Sequence, residues 1–511
     1  MHLHDKITIE YEDGTSRESD TVGAFAASAD PGTEWDGITS GDDFYDRFCT
    51  PSTSSSSTSK KMMKRDEEPA ILAPNPLRSR QTTDAFPNYP SDPIVTDDGY
   101  GIISGYFLSG KGYEDAAVLA ITSFLAEGAS DTVAFIADFQ STVENFLAEC
   151  KKAGKSKLVI DLTSNGGGAI VAATDLFVQL FPDKDRFSAN NMRRSDSLVA
   201  MTKVMQNTIE KSGWQPRTDN ENQAASTLAA GTLGSSLNPF TGIYAPEGDQ
   251  YASIEELVAE VNLAGDKFTA YQRSLFNIPS AEYNVTGVGS RADPPAAVFS
   301  PDDVVVLTDG TCGSSCTILS YFLIYDVGVK FVTVGGRPQT GKIQSLGGVE
   351  GSETYTWDTM ALAATAAVVL DESQSNGDLG TIAQAYAYSR ASSPPQVNAK
   401  NAFAPFDAST PLQFLKQYAN CKFWYTADMI LDPTMVWERA VDATWTDPDS
   451  VCVKDSQTSV GGVLNTNNDN LDDAFADSAS NTGGDDEDAA GVMGVSVMAV
   501  IVALATFLIT I

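Results

Sequence analysis

Histidine is almost absent from this 511-residue chain: only His2 and His4 occur, both at the extreme N-terminus. A Ser-His-Asp or Cys-His site needs an imidazole beside its nucleophile, and a histidine-ligated zinc site needs one at the metal. The body of the chain has none to supply, so a nucleophilic enzyme built from it must take its base from Lys, Asp or Glu. Positive charge is also scarce, with 33 Lys and Arg against 68 Asp and Glu, a formal net charge of -35. Such a surface repels phosphate backbones, which excludes nucleic acid as a partner. The six cysteines, Cys49, Cys150, Cys312, Cys316, Cys421 and Cys452, form no CxxC pair. Zinc-ribbon and thioredoxin-like sites are excluded with it. Nothing in the sequence calls for a cofactor.

Apolar residues make up 42% of the chain, enough for a packed core, and the length implies two or more domains. The even cysteine count is compatible with disulfides in an oxidising compartment. Cys421 and Cys452 flank one short segment and are the preferred pair, with buried free thiols as the alternative.

The C-terminus, VMGVSVMAVIVALATFLITI, is a charge-free apolar run. About 20 such residues suffice to cross a bilayer as a helix. Upstream, SASNTGGDDEDAA supplies small residues and a polar spacer, the parts of a glycosylphosphatidylinositol attachment signal; a membrane-spanning tail is the alternative. The start, MHLHDKITIEYEDG, has no apolar region of signal-peptide type. A surface location therefore carries the expectation that a signal peptide is missing from this chain, and KITIEYEDGTSRE reads as the middle of a hairpin.

Residues 1–48 read as a remnant of an N-terminal domain and 49–97 as a Ser/Thr-, charge- and Pro-rich linker containing the dibasic pair Lys64-Arg65. Residues 98–454 form the principal domain, with its ordered core starting near Gly101. Residues 455–490 form a disordered acidic stalk and 491–511 a hydrophobic anchor or anchor signal. Within the domain, residues 115–125 read as a buried strand, 132–154 as a helix, 157–164 as a strand, and AIVAATDLFVQLFP as a helix. Residues 304–310 then give a strand, 316–328 a helix and 330–336 a strand. This alternation predicts an α/β layer fold. An irregular insertion with some helices is expected at about 183–298, carrying the glycosylation sequon Asn284-Val285-Thr286.

Two turns carry chemistry. In KLVIDLTSNGGGAI, three glycines follow a buried strand and open a helix. Exposed N–H groups at a positive helix end can hold a phosphate or the oxyanion of acyl transfer; a tight turn needing positive φ is the plain alternative. The spacing is not GxGxxG and no Walker lysine follows. In VVVLTDGTCGSSCTILSYF, a strand ends in a small-residue turn with adjacent serines, and a helix begins. The helix dipole favours a serine alkoxide there, and a Ser N-cap is the plain alternative. No GxSxG elbow is present.

The ordered set LVIDLTSNGGG, VVVLTDGTCGSSCTIL and VGGRPQTGKIQSLGGVEG resembles the tail-specific, or carboxyl-terminal processing, serine proteases, and is similar to their secreted fungal branch. GYFLSGKGYEDAAVLAITSF and KSKLVIDLTSNGGG resemble that branch's opening segments, and the resemblance covers about 100–370. It implies a Clp/crotonase-like core and a tail-specific protease-like catalytic domain at 98–454. It places the nucleophile at Ser314, with Ser315 as the rival, and the oxyanion hole at the N–H groups of Ser315 and of Gly166 or Gly167. The family's Ser-Lys pairing maps onto Lys342, which must be desolvated to accept a proton. Asp326 and Glu350 are the carboxylate alternatives, Cys312 and Cys316 bracket the nucleophile, and no PDZ-like GLG segment is present. The resemblance therefore implies a serine-type endopeptidase, acting outside the cell on proteins or peptides through an acyl-enzyme. A catalytically inactive surface binding protein with the same fold is the alternative.

Overall fold

The computed structural model describes residues 6–11, 13–20, 38–43, 89–126, 132–274, 284–285, 288–289, 295–347, 350–384 and 396–459. Near the start, β1 (Lys6–Glu10) and β2 (Ser16–Asp20) pair antiparallel, as the hairpin pattern predicts. The main sheet takes β3 (Val95–Thr96), β4 (Ile103–Phe107), β5 (Ala116–Ile121) and β6 (Lys157–Asp161). Beyond β7 (Ala189–Met192), which belongs elsewhere, it adds β8 (Val304–Thr308) and β9 (Lys330–Val334). After β10 (Glu353–Thr356) and β11 (Gln396–Phe403) it closes on β12 (Cys421–Phe423). The order is β12-β9-β8-β6-β5-β4-β3. From β5 to β12 neighbouring strands run parallel, whereas β3, β4 and β5 are antiparallel, so the sheet is mixed.

Parallel strands covered on both faces read as continuous apolar runs, and β6 and β8 do so because side chains alternate between two cores. Leu158, Ile160, Val304, Val306 and Phe331 face one core. It is covered by helices α1 (Thr132–Ala153) and α2 (Ile170–Leu180), through residues such as Phe139, Val143 and Phe177. Val159, Val305, Leu307, Val332 and Val334 face the other core, where Trp437 packs.

A smaller three-stranded sheet, β10-β11-β7, lies with α3 (Asp196–Asn207), α4 (Asp219–Ala230) and later helices over a third core. The helices expected at 183–298 are present, but they do not close a core alone. Leu198, Met201 and Met205 of α3 are covered by Ala363, Ala364 and Ala367 from far downstream, because an amphipathic helix needs an apolar partner wherever the chain supplies one. At the sheet, Lys400 and Glu353 form a buried ion pair at 2.7 Å, and the Lys400 ammonium also donates to Ser236 Oγ.

The described fold begins ahead of Gly101. The Tyr89 hydroxyl donates to Asp161 Oδ2 at 3.1 Å, and its ring lies 5.4 Å from that of Trp437. Cys421 and Cys452 are joined, as their spacing suggests; Cys312 and Cys316 form a second disulfide, and Cys150 is free and buried. Among the described residues no helix is long and apolar enough to cross a membrane. The tail 491–511, most of the stalk, the Lys64-Arg65 pair and most of the linker lie outside the described residues.

Candidate active site

Strands β6 and β8 are parallel neighbours, with Val304 opposite Leu158 and Leu307 opposite Asp161. The turns that leave them therefore start side by side at the carboxyl end of the sheet, where open α/β sheets place their ligands. The turn after β6 is built by Asn165. Its backbone N–H donates to Leu162 O, its Nδ2 to Ile121 O at 2.9 Å, and its Oδ1 accepts Gly167 N–H at 2.8 Å. Gly167 O accepts Phe124 N–H, which ties the turn to the segment following β5.

The turn after β8 leads into α5 (Ser315–Tyr321), which continues as a π-helical stretch, Phe322–Val327. Ser314 precedes the helix with φ 51° and ψ -126°, and its side chain makes no capping bond. The N-cap alternative is therefore not what holds this residue. A non-glycine residue in such a conformation costs on the order of 1–3 kcal/mol, and such strain collects at functional sites. The Cys312–Cys316 disulfide closes the turn around it.

The two turns touch. Gly167 has φ +108°, and a Cβ built on it would fall 2.6 Å from Ser314 Cβ, 2.7 Å from Gly313 O and 3.0 Å from Ser315 N. Only glycine permits this approach. Ser314 is half-buried, whereas Ser315 is fully buried and its hydroxyl has no hydrogen-bond partner among the described residues. Of the two serines, Ser314 is thus the one a substrate can reach. Ser315 opens the helix, so its N–H has no partner in the preceding turn. The glycines divide as well. Gly167 N–H is committed to Asn165, while Gly166 is exposed with open space around it and its N–H has no hydrogen bond among the described residues. Gly166 and Ser315 are therefore the donors the geometry leaves for an oxyanion, and Gly167 serves by its lack of a side chain.

The candidate bases are placed less favourably. Lys342 is exposed, with its ammonium 5.2 Å from the centre of the Tyr418 ring; this is not the desolvated lysine that the family pairing requires, and no hydrogen bond joins it to Ser314. Asp326 lies twelve residues past Ser314 along the helix, about 16–18 Å at a helical rise. It accepts Phe187 N–H at 2.9 Å, and burial holds its carboxyl well above the usual carboxylate range. Glu350, 7% exposed, packs towards Gln417 and Tyr325, and burial pushes its carboxyl up to about 8.

One residue that sequence reasoning missed is Lys422, in the middle of β12. It is buried, and its ammonium donates to Arg337 O at 2.9 Å and Gln339 O at 3.0 Å. It thereby fixes the loop that leads to Lys342, and burial lowers its pKa. The signal was a lysine between the apolar strand residues Cys421 and Phe423.

A mixed α/β sheet with a strained serine apposed to a glycine turn at the carboxyl end of adjacent strands has the parts that a serine hydrolase needs, a reachable hydroxyl and nearby backbone N–H groups. The family model for peptidase family S41 matches residues 115–376, and the chain belongs to that family of serine peptidases. It is 26% identical over 468 residues to the peptidase S41 family protein ustP of Aspergillus flavus, covering 88% of this chain and 90% of that one. It is 25% identical over 478 residues to the peptidase S41 family protein phomP1 of Diaporthe leptostromiformis, covering 86% of this chain but only 66% of that protein. Among solved structures it is similar to mature CPAF, with TM-score 0.40 and 12% identity over 88% of this chain and 68% of that one. For mature CPAF complexed with lactacystin the TM-score is 0.38 and the identity 13%, covering 86% of this chain and 66% of that one.

Gly167→Ala is expected to drive the two turns apart and lower peptide hydrolysis by about 100-fold or more, with the main-sheet core intact by circular dichroism; wild-type turnover in this variant would contradict the contact. Glu350 gives a pH dependence. Its carboxyl titrates at about 8 in the folded chain against 4.5 ordinarily, so the folded state binds the extra proton between those values. Glu350's contribution to stability is full below 4.5 and is lost as pH rises towards 8. Glu350→Gln should flatten this fall in a series of thermal melts, and an unchanged slope would contradict it.

Proposed function

We propose that this chain cleaves proteins or peptides through an acyl-enzyme on Ser314. The observation that carries the proposal is the close approach of Gly167 to Ser314, with the N–H groups of Ser315 and Gly166 uncommitted among the described residues beside the half-buried serine. Ser314 Oγ attacks the scissile carbonyl carbon and gives its proton to a base, and the carbonyl oxygen becomes the oxyanion that the two N–H groups receive. Collapse breaks the C–N bond, the amine leaves with the proton, and water hydrolyses the resulting ester.

Lys342 is the proposed base because no histidine exists in the body of the chain and the resemblance puts the family's lysine there. In this conformation it is exposed, so the segment after Gly341 must bring it to Ser314 when substrate binds; catalytic contacts of this kind are often loose until the substrate complex forms. One observation favours a second reading, an inactive surface binding protein that keeps the fold: Ser314 Oγ contacts no base among the described residues.

The proposed location is the outside of the cell. The two disulfides support an oxidising compartment, Asn284 of the sequon lies in a short strand, Asn284–Val285, and the apolar C-terminal run supports attachment through a lipid anchor.

Ser314→Ala should abolish hydrolysis of a peptide library, a loss on the order of 10⁶ by analogy with a studied serine protease. Ser315→Ala should leave part of the activity, since the backbone N–H survives the substitution. Lys342→Met should match Ser314→Ala. Full activity in Lys342→Met removes the Ser-Lys mechanism, full activity in Ser314→Ala overturns the site, and a wild-type chain that cleaves no peptide supports the inactive reading. For the anchor, phosphatidylinositol-specific phospholipase should release the protein from cells; release by detergent alone would favour a membrane-spanning tail.

A further inference from the structure

Among the described residues only four non-glycine residues have positive φ: Ser164, Ala264, Ser314 and Asp455. Two of them lie in the facing turns, Ser314 before α5 and Ser164, at φ 61°, one residue ahead of Asn165. Strain in two facing loops persists only where other contacts over-determine it. The disulfide and the helix start hold Ser314. Ser164 is held in part from the other turn: Asp309 Oδ2 accepts Ser164 N–H at 3.0 Å, and Asp309 Oδ1 accepts Thr311 N–H at 2.9 Å. One carboxylate thus spans both turns. The next residue, Gly310, has φ +88°, and a Cβ on Gly347 would overlap its carbonyl oxygen. The segment after Lys342 therefore packs onto the same point.

The geometry points to Asp309 as a positioning residue that sets the separation between the oxyanion donors of the glycine turn and the Ser314 turn. This inference rests on the proposed peptidase site. Asp309 makes no hydrogen bond with Ser314 Oγ, and its two oxygens each accept a backbone N–H, which is the contact set of a positioning group. A charged acceptor bonding two backbone N–H groups makes stronger hydrogen bonds than a neutral one, and this one joins a glycine turn otherwise tied to Phe124 to the serine turn. Its effect should appear in the transition state, when the oxyanion needs Gly166 and Ser315 N–H together, more than in ground-state binding.

The test uses the full chain and compares wild type, Asp309→Asn and Asp309→Ala in steady-state peptide hydrolysis and in hydrogen exchange read by mass spectrometry. Asp309→Ala is expected to lower kcat at least tenfold with KM changed less than threefold, and Asp309→Asn, which keeps one acceptor, to fall between it and wild type. The peptide holding Ser164 to Gly168 should exchange faster in Asp309→Ala, while the β6 and α1 peptides keep wild-type protection. Equal kcat in all three chains, or faster turnover by Asp309→Asn, overturns the positioning role. If wild type cleaves nothing, the peptidase reading fails, and exchange still decides the latch: unchanged protection at Ser164 to Gly168 overturns it.

Discussion

The structure turns on one close approach of backbone to backbone. Two parallel strands, β6 and β8, are hydrogen-bonded neighbours, so the loops leaving them emerge only one inter-strand spacing apart, about 4.8 Å. Packing them face to face is possible because Gly167 presents no Cβ to Ser314. Asn165 shapes the glycine turn from within, Phe124 ties it to the strand on its far side, and the Cys312–Cys316 link closes the serine turn. Helices α1 and α2 and the Trp437 side of the sheet matter to the site chiefly by keeping β6 and β8 in register.

This arrangement also divides labour between neighbours that look equivalent. Ser314 and Ser315 are adjacent, yet one backbone conformation exposes the first side chain and buries the second. Gly166 and Gly167 are adjacent, yet one N–H is consumed by Asn165 and the other is not. Each pair holds one group open and one enclosed within the turn. The same logic separates the lysines: Lys422, buried and bonded to two carbonyls, organises a loop, whereas Lys342 is exposed beside the Tyr418 ring.

How much of this was legible in the sequence follows from how local each feature is. KLVID and VVVLT are buried on both faces, so their apolar runs were unmistakable, and the amphipathic spacing of residues 132–154 marked α1. The turns are legible as turns, and the resemblance of three ordered motifs groups them into one site without reference to any contact. What escaped depends on contacts distant in sequence. Tyr89 belongs to the fold through Asp161 and Trp437, not through any pattern of its own. The completion of the third core by residues beyond 350 left no trace in the insertion itself. That Asn165 occupies Gly167 N–H, or that Asp309 reaches Ser164, depends on side-chain rotamers that no spacing encodes.

Everything proposed for this pair of turns depends on the accessible serine, Ser314, being a nucleophile. The most direct test treats the intact protein with a fluorophosphonate, digests it and maps the adduct by mass spectrometry. A single phosphonylated residue, Ser314, is expected, with no adduct on Ser315. Modification of Ser315 instead, or an intact protein whose mass never changes, would contradict it.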